Sequence, residues 1–379
     1  VPPAEPDPTA EVDRFGELLA GLRRAPDVEA PELRAWDAAD RLLLDTAAPL
    51  VDGGAALVVD DTHGALALGV RQLGAGPVRV HQDSLVARRA LAGNAERLGG
   101  ALSIEQHPLD TLATPDARLA LVRLPRSLDR LDAVARALAA TTSDDLVVLA
   151  GNMVKHMTPT QNDVLRASFG RLDVSRARGK ARLLIAREPI RREAAAPARA
   201  VDPDLGLHIV ALPGVFAGAS VDIGTRALLA TLDSLPPFAV AIDLACGSGL
   251  LATALARHAP GARVVATDVS EVAVRSAALT AAANGVRVET VHDDGLGAQP
   301  DASADLIVLN PPFHVGAAVH TGIALRLFAE AARVLRAGGE LRAVWNSHLD
   351  YRPALARIVG PTRQVARTSK FTVTASRRA

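Results

Sequence analysis

The chain has 379 residues, of which 49% are hydrophobic and 22% charged, and its basic and acidic side chains cancel to a net charge of zero. That length suits two domains with full cores, and the zero charge excludes a global basic field, so any nucleic-acid contact must be local. The single cysteine, Cys246, excludes an internal disulfide and a cysteine-based zinc cluster and fits a reducing compartment.

The first residues, Val1-Pro-Pro-Ala-Glu-Pro, are acidic and proline-rich and read as a frayed tail rather than a signal peptide. No stretch reaches the roughly 18 uninterrupted apolar residues of a membrane span. A cytoplasmic protein is therefore expected. From residue 11 to about 186, apolar runs alternate with Ala/Leu-rich helical stretches, which argues for a parallel α/β sheet. Residues 187–204, REPIRREAAAPARAVDPD, have the charge, proline and alanine content of a linker. Residues 205–379 repeat the alternation. Expected strands there are 239–244, 263–267, 286–291, the run into Asn310, 340–345 and 371–375; helices are expected at 250–258, 270–283 and 322–336.

The two halves share landmarks. With Gly64 set against Gly249, Asp83 falls opposite Asp268, and Leu119–Pro125 aligns with Leu306–Pro312 two residues off register. Such an offset repeat suggests duplication of one α/β domain, against chance alignment of two generic sheets.

Chemistry concentrates in the second half. Asp243-Leu-Ala245-Cys-Gly247-Ser-Gly249 lies where the first strand meets a helix, where glycines let a ligand approach and the helix offers free N–H groups. The segment also fits the dinucleotide pattern G-x-G-x-x-A. Asp243 would repel a pyrophosphate but suits a cationic amine, which favours S-adenosylmethionine over NAD. Asp268, next to Val269 at the end of the second strand, can accept from two ribose hydroxyls. Asp293 and Asp294 end the third strand, where they can accept from an adenine amino group. Taken singly, such aspartates also serve as helix caps or turn residues. Gly214-Val-Phe216 and Asp222-Ile-Gly224-Thr225-Arg226 read equally well as a segment closing over the cofactor or as an ordinary capped helix. Cys246 reads as a small packing residue.

Asn310-Pro311-Pro312-Phe313-His314 follows the buried run Asp305–Leu309. Neither proline has an N–H to donate, so the chain must leave the sheet stiffly there. The side-chain oxygen of Asn310 and the carbonyl of Pro311 can accept both hydrogens of a planar NH2 group, and Phe313 can stack on the base that carries it. The same five residues alone are also compatible with a turn.

Together, Asp243–Gly249, Asp268, Asn310–His314, Gly338-Gly-Glu-Leu341, Asn346–Tyr351 and the preceding Gly214–Phe216 and Asp222–Gly224 resemble the bacterial ribosomal RNA guanine-N2 methyltransferases. The N-terminal Ala35-Trp-Asp37-Ala-Ala-Asp40 and Asp61–Leu66 resemble the member acting on 23S rRNA more than the 16S member. The resemblance implies two tandem Rossmann-like methyltransferase domains, the N-terminal one (11–186) degenerate and the C-terminal one (205–379) catalytic. It implies S-adenosylmethionine held by Thr225, Asp243, Ala245, Gly247, Gly249, Asp268, Val269, Asp293, Asp294 and Asn310. Methyl transfer to guanine N2 would fall to Asn310, Pro311, Pro312 and Phe313, without a metal. Thr62 stands for Gly247 in the first half, and Arg123-Leu-Pro-Arg for Asn310-Pro-Pro-Phe, so that half should not catalyse. Its expected role is RNA binding, with Arg171, Arg176, Arg178, Lys180 and Arg182 as a candidate phosphate patch. A monomer acting on 23S rRNA is expected. Competing readings are a 16S enzyme, a methyltransferase of protein glutamine or DNA adenine, an RNA-binding pseudoenzyme and an NAD oxidoreductase.

Overall fold

A computed structural model describes residues 13–98, 104–311 and 317–379. The main break between its two compact units falls between Arg192 and Glu193.

The first unit is built on strands β1 (Ala56–Val59), β2 (Val78–His81), β3 (Ile104–Gln106), β4 (Leu119–Arg123), β5 (Val147–Met153), β6 (Phe169–Val174) and β7 (Ala181–Pro189). A hairpin follows, β8 (Ala198–Asp202) with β9 (Leu207–Ala211). The second unit holds β10 (Val240–Leu244), β11 (Arg263–Asp268), β12 (Glu289–His292), β13 (Ala304–Leu309), β14 (Leu335–Asn346), β15 (Thr362–Arg367) and β16 (Phe371–Arg377). The sheet orders are β3-β2-β1-β4-β5-β7-β6 and β12-β11-β10-β13-β14-β16-β15. The central strands β1 and β13 are buried along their length and, apart from Asp305, apolar, as suits parallel strands covered on both faces.

Neither sheet is wholly parallel. β7 runs antiparallel to β5 and β6, and β16 antiparallel to β14 and β15. The edge strand β15, Thr-Arg-Gln-Val-Ala-Arg, is polar and therefore lacked an apolar signature. The stretch 187–204 contains the end of β7 and all of β8, so the irregular part between the units is shorter than its composition suggests. β12 begins at Glu289, later than expected, and β14 begins at Leu335 and runs through Gly338-Gly339.

The duplication reaches into the loops. Gly64 and Gly249 are both left-handed N-cap residues, with φ of 93° and 77°. Asp60 and Ala245, at matching positions, are left-handed too, at 58° and 60°. Val59 pairs with Val122 as Leu244 pairs with Leu309, so Arg123 occupies the place of Asn310. One alignment shifts. Val59 pairs with His81 but Leu244 with Thr267, so Gln82 rather than Asp83 stands at the place of Asp268.

In the first unit this place is filled from within. The buried carboxylate of Asp61 accepts from the N–H groups of Gly64, Leu66 and Ala67 at 3.0, 3.0 and 2.8 Å. Those are the free donors of a helix start. Arg123 makes a bidentate pair with Asp37, 2.9 Å at both contacts, and lies 3.1 Å from Asp40. Burial would raise Asp37, but Arg123 and the backbone donors of Ala39 and Asp40 outweigh it and hold the carboxyl below its ordinary value. At Asp40 burial outweighs Arg123, and the carboxyl is pushed up to about 7.

Arg123→Met should therefore cost about 3–5 kcal/mol, since it strands two acidic groups. The loss should be larger at pH 8 than at pH 5, where Asp40 is protonated already. Denaturant titration of the full chain at both pH values measures it.

Candidate active site

Both orders reverse direction at one point, between β10 and β13 in the second unit, and an α/β sheet binds ligands outside the carboxyl ends of its strands there. A cleft with about 400 Å³ of empty space, open to solvent, lies at that point. Asp222, Thr225, Ala245, Gly247 and Asn310 are among its walls. A larger hollow of about 770 Å³ in the first unit runs past Ala56 and Leu119, the opening residues of β1 and β4. It sits at the amino ends of the strands, the wrong end for such a site.

The loop from β10 to the helix Leu250–His258 is shaped by three left-handed residues, Ala245, Gly247 and Gly249. At Gly247 a Cβ would meet nothing within 4 Å, so the space before it is open to a ligand. At Gly249 a Cβ would lie 2.5 Å from Ala277 Cβ and 2.6 Å from Ala277 Cα, so this glycine lets the helix Glu271–Ala283 pack against the loop. Ala245 holds its conformation at a strain of roughly 1–2 kcal/mol.

Two carboxylates meet this loop. Asp243 is fully buried; its Oδ2 accepts from Ala252 N–H at 2.9 Å, while its Oδ1 has no partner among the described residues. Burial, against the bond from Ala252 N–H and with a smaller push from nearby Asp268, raises the carboxyl to about 7. A buried acid with an orphaned oxygen has the chemistry to receive a cationic group or to stay protonated. Asp268, also raised by burial, accepts from Gly247 N–H and Ser270 N–H, each at 3.0 Å. Val269 follows it, its carbonyl accepting from His292 Nε2 at 2.9 Å. Cys246 is buried and its thiol raised well above the ordinary value by that burial, which suits packing and not nucleophilic attack.

The third-strand acids have other partners. Asp293 accepts from Asp294 N–H at 2.8 Å and Ala298 N–H at 2.6 Å, and so builds the turn. Asp294 pairs with Arg326 at 2.6 Å. Both carboxylates therefore serve the turn and an ion pair, beside the expected role as adenine acceptors.

Asn310 stands just past β13. Its Nδ2 donates to Asp222 Oδ2 at 3.2 Å and to Thr225 Oγ1 at 3.0 Å. Asp222 is also the N-cap of the helix Ile223–Leu229, and the same Oδ2 accepts from Gly224 N–H at 2.9 Å and Thr225 N–H at 3.3 Å. A carboxylate oxygen that takes two N–H bonds can only accept from the amide, so the amide nitrogen must face it. The Oδ1 of Asn310 is thereby left as an acceptor. A Cβ on Gly224 would come within 3.3 Å of that oxygen, so the glycine keeps its surroundings clear.

Thr225 thus reaches Asn310 directly. Pro311 is buried, and Pro312, Phe313 and His314 lie outside the described residues. Sequence reasoning left Asp222 open between a segment closing over the cofactor and an ordinary helix cap; its bond to Asn310 was not foreseen. It also passed over the exposure of Phe216, 52% accessible on the cleft wall, which no sequence pattern reports. In the expected basic patch, Arg171 pairs with Asp173 at 3.0 Å and Arg178 with Asp45, while Arg176 and Lys180 are exposed. Among the described residues no acidic, histidine or cysteine cluster could hold a metal, and no helix is long and apolar enough to cross a membrane.

The strand order with its antiparallel seventh strand, and the roomy glycine loop at the switch point, define a Rossmann-like, S-adenosylmethionine-dependent methyltransferase. Residues 206–375 match the methyltransferase small domain family, and residues 14–190 match the RLMG N-terminal domain. A protein of Streptomyces coelicolor named ribosomal RNA large subunit methyltransferase G is 37% identical, over 95% of this chain and 97% of its own. Its namesakes in Pseudomonas entomophila (36%, 94% and 97% covered) and Shewanella amazonensis (33%, 95% and 98%) are similar throughout. The solved T. thermophilus 16S rRNA N2 methyltransferase, in complex with AdoMet and guanosine, shares the fold. It has a TM-score of 0.74 at 24% identity, covering 93% of this chain and 97% of that one. This chain belongs to the ribosomal RNA large subunit methyltransferase G family.

Gly249→Ala should destabilise the protein by about 2 kcal/mol or more, combining a left-handed β-carbon with overpacking against Ala277. Gly247→Ala should cost only about 1 kcal/mol, since strain alone opposes it. Thermal unfolding of the two variants distinguishes a packing glycine from one kept for access.

Proposed function

We propose that the chain methylates the exocyclic N2 of a guanine in 23S ribosomal RNA, with Asn310 orienting the amino group. The observation that carries this reading is the amide of Asn310, whose nitrogen is engaged by Asp222 and Thr225 and whose oxygen is left to accept. Bound S-adenosylmethionine supplies a methyl group on a sulfonium. Asp243 would take its amine, through the orphaned Oδ1, and Asp268 its ribose hydroxyls, with Ala245, Gly247, Gly249 and Val269 around it.

Guanine N2 is a weak nucleophile because its lone pair is delocalised into the ring. Asn310 Oδ1 and the Pro311 carbonyl would accept its two hydrogens and turn the lone pair toward the methyl. Positioning and fixed dipoles then lower the barrier. One N2 proton is lost as the N–C bond forms, and water suffices to take it. Phe313 would stack on the base, and a guanine in paired RNA must first be flipped out. The first unit lacks a counterpart to Gly247 and Asn310, and Asp61 fills its helix start. It would contribute RNA-binding surface, with Arg176 and Lys180 as exposed cations near one hairpin.

Asn310→Ala should cut the rate of methyl transfer by about a hundredfold or more while leaving cofactor affinity near the parent value. Mass spectrometry of 23S rRNA incubated with labelled cofactor reads the product. Label in 16S rRNA, in a protein glutamine or in DNA adenine would overturn the substrate.

Asp243 gives a pH signature. Its carboxyl titrates near 7 in the cofactor-free protein, and a bound ammonium favours the ionised form, so binding below that pH must expel a proton. Cofactor affinity should therefore rise from about pH 6 to about 7.5 and then level, the upper limit being set by titration of the amine itself. Calorimetry should show one site per chain, and Asp243→Asn should flatten the slope.

A further inference from the structure

We infer that Asp222 and Thr225 form an acceptor bracket whose task is to set which atom of the residue at the end of β13 faces the substrate. The inference rests on the proposed role of Asn310 and extends it to a pair of positioning residues that decide donor against acceptor at that place.

The bracket can be read twice in one chain. Asp222 caps the helix Ile223–Leu229 and Asp37 caps the helix Ala38–Ala47. Thr225 and Asp40 are each the third residue beyond their cap. In the second unit the pair holds Asn310, at 3.2 and 3.0 Å. In the first unit the corresponding pair holds Arg123, at 2.9 and 3.1 Å. Both held residues follow from equivalent strand registers, Leu244 with Leu309 and Val59 with Val122.

The two versions differ together. Where the strand end carries a neutral amide, the second bracket residue is a neutral hydroxyl; where it carries a guanidinium, that residue is a carboxylate. The second bracket residue changes with its occupant, a hydroxyl beside the amide and an acid beside the guanidinium, and Asp40 also closes a capping box on Asp37 N–H. A cap needs Asp222 only for Gly224 and Thr225 N–H. The amide of Asn310 adds the further demand that both its hydrogens be spent.

With both hydrogens spent, Asn310 can offer the substrate only lone pairs. A guanine or other base presenting NH2 is accepted there, and a base presenting a carbonyl oxygen meets oxygen against oxygen. Without the bracket the amide can flip, and the same residue would welcome a carbonyl. The bracket therefore acts on orientation within the bound complex, not on cofactor affinity.

A double-mutant cycle on the full chain tests this. Thr225→Val keeps the side-chain shape and deletes the hydroxyl. It should lower kcat about tenfold, with KM for 23S rRNA and the Kd of S-adenosylhomocysteine within about twofold of the parent. Thr225→Ser should restore the rate. In the Asn310→Ala background Thr225→Val should change nothing, because a residue acting only through Asn310 has nothing left to act on. Asp222→Asn retains an N-cap and should give a smaller loss with the same dependence on Asn310. Calorimetric and thermal-unfolding controls accompany each variant. An equal loss from Thr225→Val in both backgrounds, or a loss in cofactor affinity in place of kcat, would overturn the bracket. If Asn310→Ala itself retains the parent rate, the orienting role of Asn310 falls, and the bracket falls with it; the single variant separates that failure from a failure of the bracket alone.

Discussion

One carboxylate oxygen, Asp222 Oδ2, joins two levels of this structure. It ends a helix by accepting from Gly224 and Thr225, and it accepts from the amide of Asn310 across from the end of β13. The helix start and the strand end are thereby tied at the point where the sheet order reverses. Acceptor capacity is the limiting quantity there. Because the oxygen is taken up by donors, the amide has one stable orientation, with its Oδ1 left to accept. Gly224 belongs to the same constraint, since any side chain at that position would press on Asn310 and on the ring of Phe371.

The first unit shows how a duplicated framework loses a site without losing its shape. Its left-handed residues and cap glycine persist, as does the aspartate before the helix. What changed are the positions that would touch a ligand. Val58 stands at the place of Asp243, Thr62 at that of Gly247 and Arg123 at that of Asn310. Each replacement removes a polar or open feature and puts bulk or internal pairing in its place. Buried ion pairs add little net stability but fix geometry, and the Arg123 cluster does so at the place where the other unit orients its amide.

Much of this was legible in the sequence. The strand-end acids, the glycine spacing and Asn310-Pro-Pro are local signals, and the repeat of landmarks gave the duplication. Three kinds of feature were not. The antiparallel turn of β7 and β16 depends on sheet pairing at long range, which an apolar run does not encode. The edge strand β15 is polar because one side faces solvent. Asp293 and Asp294 sit at a strand end like Asp268, and their bonds from Ala298 N–H and Arg326 are tertiary contacts that the sequence does not report. The bond between Asp222 and Asn310 was hidden for a related reason: the two lie far apart along the chain, and no local pattern joins them.

The Asp61 carboxylate, seated on the N–H groups of Gly64, Leu66 and Ala67, makes the first unit a domain that carries its own anion. In the other unit Asp243 Oδ1 is buried without a partner among the described residues. The two halves of the chain therefore differ in what the start of their first core helix leaves open. One helix start is occupied by a carboxylate of its own chain, and the other leaves a buried acid oxygen to whatever enters the cleft.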